Sequence, residues 1–113
     1  MRRNTIKLAR PRANFGVLTG YRFWVLDIDI DHGGLASLNA LIAKTGPLPA
    51  THTVRTGSGG WHLYFAKADF EIRNSASVIA PGIDVRGLGG QVVLPGSRSA
   101  KGEYSVCTGV VPW

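Results

Sequence analysis

Two aspartates with a single residue between them, Asp27 and Asp29, lie in the apolar run Phe23-Trp24-Val25-Leu26-Asp27-Ile28-Asp29-Ile30. An extended chain alternates its side chains between two faces, so both carboxylates point the same way, with Cα atoms about 6.5–7 Å apart. Asp31 continues the acidic row. Trp24, Leu26, Ile28 and Ile30 then face the opposite side, toward a core. Adjacent carboxylates on one face repel unless something cationic bridges them. Hard oxygen ligands suit Mg²⁺ or Mn²⁺, and two such ions can clamp the attacking and leaving oxygens of an in-line displacement. The plain alternative is an acidic surface strand with no task, which sits poorly with so apolar a flank.

Further along, Thr56-Gly57-Ser58-Gly59-Gly60 can turn its backbone N–H groups toward an anion, and its small residues allow close approach. The competing reading is an ordinary hairpin turn. In the strand after it, His62 and Tyr64 share a face opposite Trp61, Leu63 and Phe65. If the bulky set faces the core, His62 stands on the carboxylate side and can donate to a phosphate oxygen. Asp84 can supply a third metal oxygen. Arg86, on its face two residues on, can grip a triphosphate or a DNA backbone through its planar fork. The competing reading of Asp84 and Arg86 is a surface ion pair of little weight. Ser97, Arg98 and Lys101 after a Pro-Gly turn are further candidates for the same anion.

Two other readings of Asp-x-Asp-x-Asp can be tested directly. A calcium loop needs glycine at its sixth position and glutamate at its twelfth, where this chain has His32 and Leu38. The haloacid-dehalogenase-like phosphatases also end a strand in Asp-x-Asp. They need a later paired-aspartate motif, and no Asp-Asp occurs in the chain.

These residues need a scaffold. Phe15 to Leu18 reads as a short strand and Phe23 to Ile30 as a buried central one. Leu35, Leu38, Leu41 and Ile42 recur at helical spacing, and Gly46-Pro47 stops the pattern, so the spacing predicts a helix over 34–45. Strands are expected at 51–56, 61–65, 83–86, 91–94 and 104–106, the first two of these pairing as a hairpin. Residues 66–80 show no clear period. The expected fold is α+β, a mostly antiparallel sheet of six or seven strands with one helix packed on one face.

The 113 residues suit one domain, read as a basic arm over 1–12 and the domain proper over 13–113. The net charge of +6 favours a polyanionic partner. Arg2, Arg3, Lys7, Arg10, Arg12 and Arg22 precede the first acidic residue, which fits either a nucleic-acid contact or a solvated arm. The single cysteine, Cys107, suits a reducing cytoplasm, and it is expected in a strand with no catalytic role. No apolar run reaches the roughly 20 residues of a membrane span, and no secretory signal is evident.

The ordered set of motifs resembles the bifunctional primase-polymerase domain of the archaeo-eukaryotic primase superfamily. The matching stretches are Ala13 to Val17, Leu26 to Asp29, Leu48 to Thr51, Thr56 to Phe65, Gly82 to Gly87 and Leu94 to Ser97. The resemblance implies a catalytic core related to the RNA-recognition-motif fold. It implies that Asp27, Asp29 and Asp84 bind Mg²⁺ or Mn²⁺ and that Ser58, Gly59, Gly60, His62 and Arg86 bind nucleotide. The implied reaction is DNA-templated attack of a 3′-hydroxyl on the α-phosphorus of a nucleoside triphosphate, in replication of a plasmid, phage or integrated element. A helicase domain or another replication protein is an implied partner. Members of that family carry further residues before the segment matching Ala13, so the chain is expected to be an N-terminally truncated form. A non-catalytic relative that binds single-stranded DNA or nucleotide is the alternative, and a metal-dependent phosphoesterase on the same aspartates is the weaker one.

Overall fold

The computed structural model describes residues 15–113, so the basic arm over 1–12 lies outside the described residues. The described strands are β1 (Gly16–Leu18), β2 (Phe23–Ile28), β3 (Thr53–Arg55), β4 (Trp61–Ala66), β5 (Ser75–Ala80), β6 (Ile83–Arg86), β7 (Gln91–Val93), β8 (Arg98–Ser99), β9 (Gly102–Glu103) and β10 (Ser105–Val106). One helix, α1 (Gly34–Thr45), follows β2 after a 3₁₀ turn over Ile30–His32. The main sheet runs β10-β3-β4-β2-β6-β5 with antiparallel pairing throughout. Two small two-stranded sheets, β1-β7 and β8-β9, accompany it. This is the expected α+β architecture.

The helix forms where its spacing predicts. Leu38 is fully buried, Leu35 and Ile42 pack on the core, and the Gly46 amide bonds Ile42 O at 2.8 Å to close the C-terminus. Leu26 and Ile28 from β2, Trp61 and Leu63 from β4, and Ile83 and Val85 from β6 complete the core under α1. Alternation does the sorting: each second residue of β2 feeds this core, and Val25 and Asp27 face the other side of the sheet. Among the described residues, no helix is long and apolar enough to cross a membrane.

Four expectations are corrected. The central strand ends at Ile28, and Ile30 lies in the 3₁₀ turn, 39% exposed rather than in the core. Strand β5 occupies the stretch read as patternless, and β8-β9 adds a hairpin, giving ten strands among the described residues. The last edge strand begins at Ser105, not Tyr104. Cys107 follows it, half-buried and outside a strand, although its amide still bonds Thr53 O at 2.8 Å.

Candidate active site

Residues opposite each other in paired strands share a face. Asp27 of β2 stands opposite His62 of β4 on one side and opposite Asp84 of β6 on the other. The three residues form one row across the centre of the sheet, on the face away from α1. Val54 extends the row beyond His62, and Ala76 extends it beyond Asp84.

Asp27 is gripped from both sides. Its Oδ2 lies 3.5 Å from His62 Nε2 and 3.3 Å from Arg86 Nη2. The same Arg86 nitrogen stands 3.5 Å from Asp84 Oδ2. Asp84 Oδ1 accepts the Ser77 amide at 3.0 Å. Ser77 sits at a β5 irregularity with φ 55°, and that geometry turns its amide inward. Burial by itself would push the Asp27 carboxyl up. The hydrogen bond and charge of His62, joined by Arg86, outweigh burial and hold it below the usual carboxylate value.

That direction fixes a pH dependence. A carboxyl whose folded pKa is depressed stabilises the fold above its unfolded value of ~3.9, and the contribution disappears as pH falls through the lower folded value. Urea unfolding of wild type and Asp27→Asn is therefore expected to give a stability gap that is widest above about pH 5 and closes toward about pH 2. A gap independent of pH would rule out the grip of His62 and Arg86 as its source.

Asp29 sits just beyond β2, still in extended backbone with φ −90° and ψ 107°. It caps the 3₁₀ turn: Oδ1 accepts the Asp31 amide at 3.0 Å, and Oδ2 lies 2.6 Å from His32 Nδ1. Sequence reasoning missed His32. An aspartate at a turn start with a histidine three residues later was the available signal. Three backbone contacts hold this segment against its neighbours. The Asp29 amide bonds Gly82 O at 2.8 Å, the Gly34 amide bonds Asp29 O at 2.8 Å, and an added Cβ on Gly60 would lie 2.2 Å from Ile28 O. The glycine turn thus abuts the end of β2 that carries the carboxylates.

The turn does not present all of its amides outward. Gly59 N bonds Thr56 O at 2.9 Å, and Gly60 N bonds Thr56 Oγ1 at 3.0 Å. Ser58 is exposed, its Oγ 3.3 Å from Thr56 Oγ1. His62 is 6% exposed, and its Nδ1 is buried with no hydrogen-bond partner among the described residues. Tyr64 hydroxyl, on the same strand face, is likewise buried with no partner among the described residues, and burial pushes its pKa up. Arg86, expected on a triphosphate, rests on the carboxylates. Ser97 is buried and accepts the Phe15 amide at 3.2 Å, Arg98 pairs with Glu103, and Lys101 Nζ lies 3.2 Å from Asp31 Oδ2. These three residues are engaged within the protein rather than gathered at one anion site.

The structure therefore brings together Asp27, Asp84, His62 and Arg86. Asp29 lies two residues from Asp27 with its carboxylate closed on its own turn. Among the described residues, no three His, Cys, Asp or Glu side chains are already gathered as a metal cage. The donor chemistry nevertheless suits a hard cation, because each acid is a carboxylate whose oxygens carry lone pairs beyond the bonds they already accept.

Comparison with curated proteins and with solved structures found no match. The profile of the family described as bifunctional DNA primase/polymerase, N-terminal, matches residues 2–112. A match over almost the whole length shows the family: the chain belongs to the bifunctional DNA primase/polymerase N-terminal family.

Proposed function

We propose that this domain performs metal-dependent, DNA-templated nucleotidyl transfer. One observation carries the reading: His62, Asp27 and Asp84 stand side by side on three neighbouring strands, with Arg86 above them. Asp27, Asp84 and Asp29 are the residues to hold Mg²⁺ or Mn²⁺. Such ions supply charge neutralisation at the attacking and leaving oxygens of an in-line displacement. The protein's own share is positioning and electrostatics, which dominate phosphoryl chemistry. His62 has one ring nitrogen facing Asp27 and one buried with no partner among the described residues. Nε2, on the carboxylate side, is the nitrogen placed to donate to a phosphate oxygen that a metal there would bring. Arg86 has the reach and the planar fork to follow a triphosphate as it enters. The 3′-hydroxyl of a primer attacks the α-phosphorus and loses its proton to water, the P–O bond to the β-phosphate breaks, and pyrophosphate leaves. The replication setting, a plasmid, phage or integrated element, is inferred from the family resemblance alone.

The test is incubation of labelled nucleoside triphosphate with the protein, with and without a primed template and with and without Mn²⁺. Product growth only when template and metal are both present is the expected result. Salt-sensitive DNA binding without incorporation would favour a non-catalytic relative. Phosphate release from simple esters without template would favour a phosphoesterase. Either result would displace the proposal.

A further inference from the structure

We propose that Arg86 is an internal counter-ion occupying the seat between Asp27 and Asp84, and that it exchanges with the divalent cation as the site loads. The inference rests on the metal-binding reading above and adds a step to it.

Two carboxylates opposite each other on adjacent strands destabilise a sheet unless their charge is offset. One Arg86 nitrogen lies 3.3 Å from Asp27 Oδ2 and 3.5 Å from Asp84 Oδ2, so a single nitrogen offsets both acids. These distances are long for a charge-assisted hydrogen bond, which settles near 2.7–2.9 Å, and the contact is not the two-nitrogen fork of a locked pair. It is a loose electrostatic bridge on a flexible stem, with Arg86 still 38% exposed. A cation held by the same two carboxylates would compete with that nitrogen for the space between them. Two positive charges so close repel strongly in a half-buried site. Guanidinium and metal therefore exclude each other, and the displaced side chain stays tethered two residues from Asp84, beside any phosphate the metal brings.

The deciding measurement is Mn²⁺ binding to the nucleotide-free protein, read from the free-Mn²⁺ paramagnetic resonance signal, for wild type, Arg86→Gln, Arg86→Lys and Asp27→Asn. Arg86→Gln should bind Mn²⁺ at least about tenfold more tightly than wild type. It should melt at a lower temperature without metal and recover on adding Mn²⁺. Arg86→Lys keeps the charge and should stay near wild type, and Asp27→Asn should lose binding. Folded Arg86→Gln with unchanged or weaker Mn²⁺ affinity, beside a wild type that binds, overturns this inference and leaves the proposed function standing. Absence of binding in every variant overturns both. If Arg86→Gln does not fold, Mg²⁺ titration of ¹⁵N-labelled wild type decides. The Arg86 side-chain N–H resonance must move as Mg²⁺ binds, and a fixed resonance in Mg²⁺-bound protein overturns the exchange.

Discussion

Replacing Asp27 by alanine is expected to lower template-directed incorporation by about 10³-fold, on the order of 4 kcal/mol of transition-state stabilisation. Asp27 is the centre of the row: it contacts His62 and Arg86 and lies opposite Asp84. On the proposed reading its loss removes a metal ligand, and it leaves His62 without its carboxylate partner and Arg86 with Asp84 alone. Asp27→Asn keeps the shape and one oxygen but not the charge, so it should be nearly as damaging. Asp69→Ala removes an exposed carboxylate outside the row and should leave incorporation unchanged. Steady-state incorporation on a primed template, alongside circular dichroism to establish folding, measures all three. Wild-type rates from folded Asp27→Ala would end the nucleotidyl-transfer proposal.

The face assignment of this site was legible in the residues; its internal contacts were not. Alternation along Trp24 to Ile28 placed Asp27 opposite the core, and the bulk of Trp61, Leu63 and Phe65 placed His62 beside it. The helix was legible because Leu35, Leu38 and Ile42 share one stripe and Gly46-Pro47 ends it. Register was beyond reach. Nothing in a single chain says that Asp84, rather than a neighbour, lies opposite Asp27, and register is set by long-range pairing. Without that register, Arg86 had no visible partner except Asp84. Strand β5 escaped for a different reason: its central residues Ala76 to Ile79 are exposed on a bulged edge, so no burial selects an alternating pattern. The premature end of β2 is a local capping effect, in which the Asp29 carboxylate competes for the Asp31 amide and diverts the chain into a turn.

The second large effect is expected at a residue that touches no ligand. Gly82 has φ +76°, and a Cβ there would lie 2.5 Å from Gly34 N, 2.7 Å from Gly34 Cα and 2.7 Å from His32 O. Every one of those atoms is backbone, so none can swing aside. Gly82→Ala must therefore bear left-handed strain and push the 32–34 segment away, each costing about 1–3 kcal/mol. That segment is what anchors Asp29, whose amide bonds Gly82 O and whose carbonyl accepts the Gly34 amide. Thermal unfolding should show Tm lowered by about 10 °C or more for a domain of this size. Gly96→Ala separates the two causes: φ is +91°, but nothing lies within 4 Å of the added Cβ. Left-handed strain alone should cost it about 1–2 kcal/mol. Equal losses in the two variants would show that the contact between Gly82 and Gly34 carries no weight. A much larger loss at Gly82, with weaker Mn²⁺ binding by whatever protein remains folded in the cold, would show that this glycine contact holds the Asp29 end of β2 in place and would support the proposed metal role of that end.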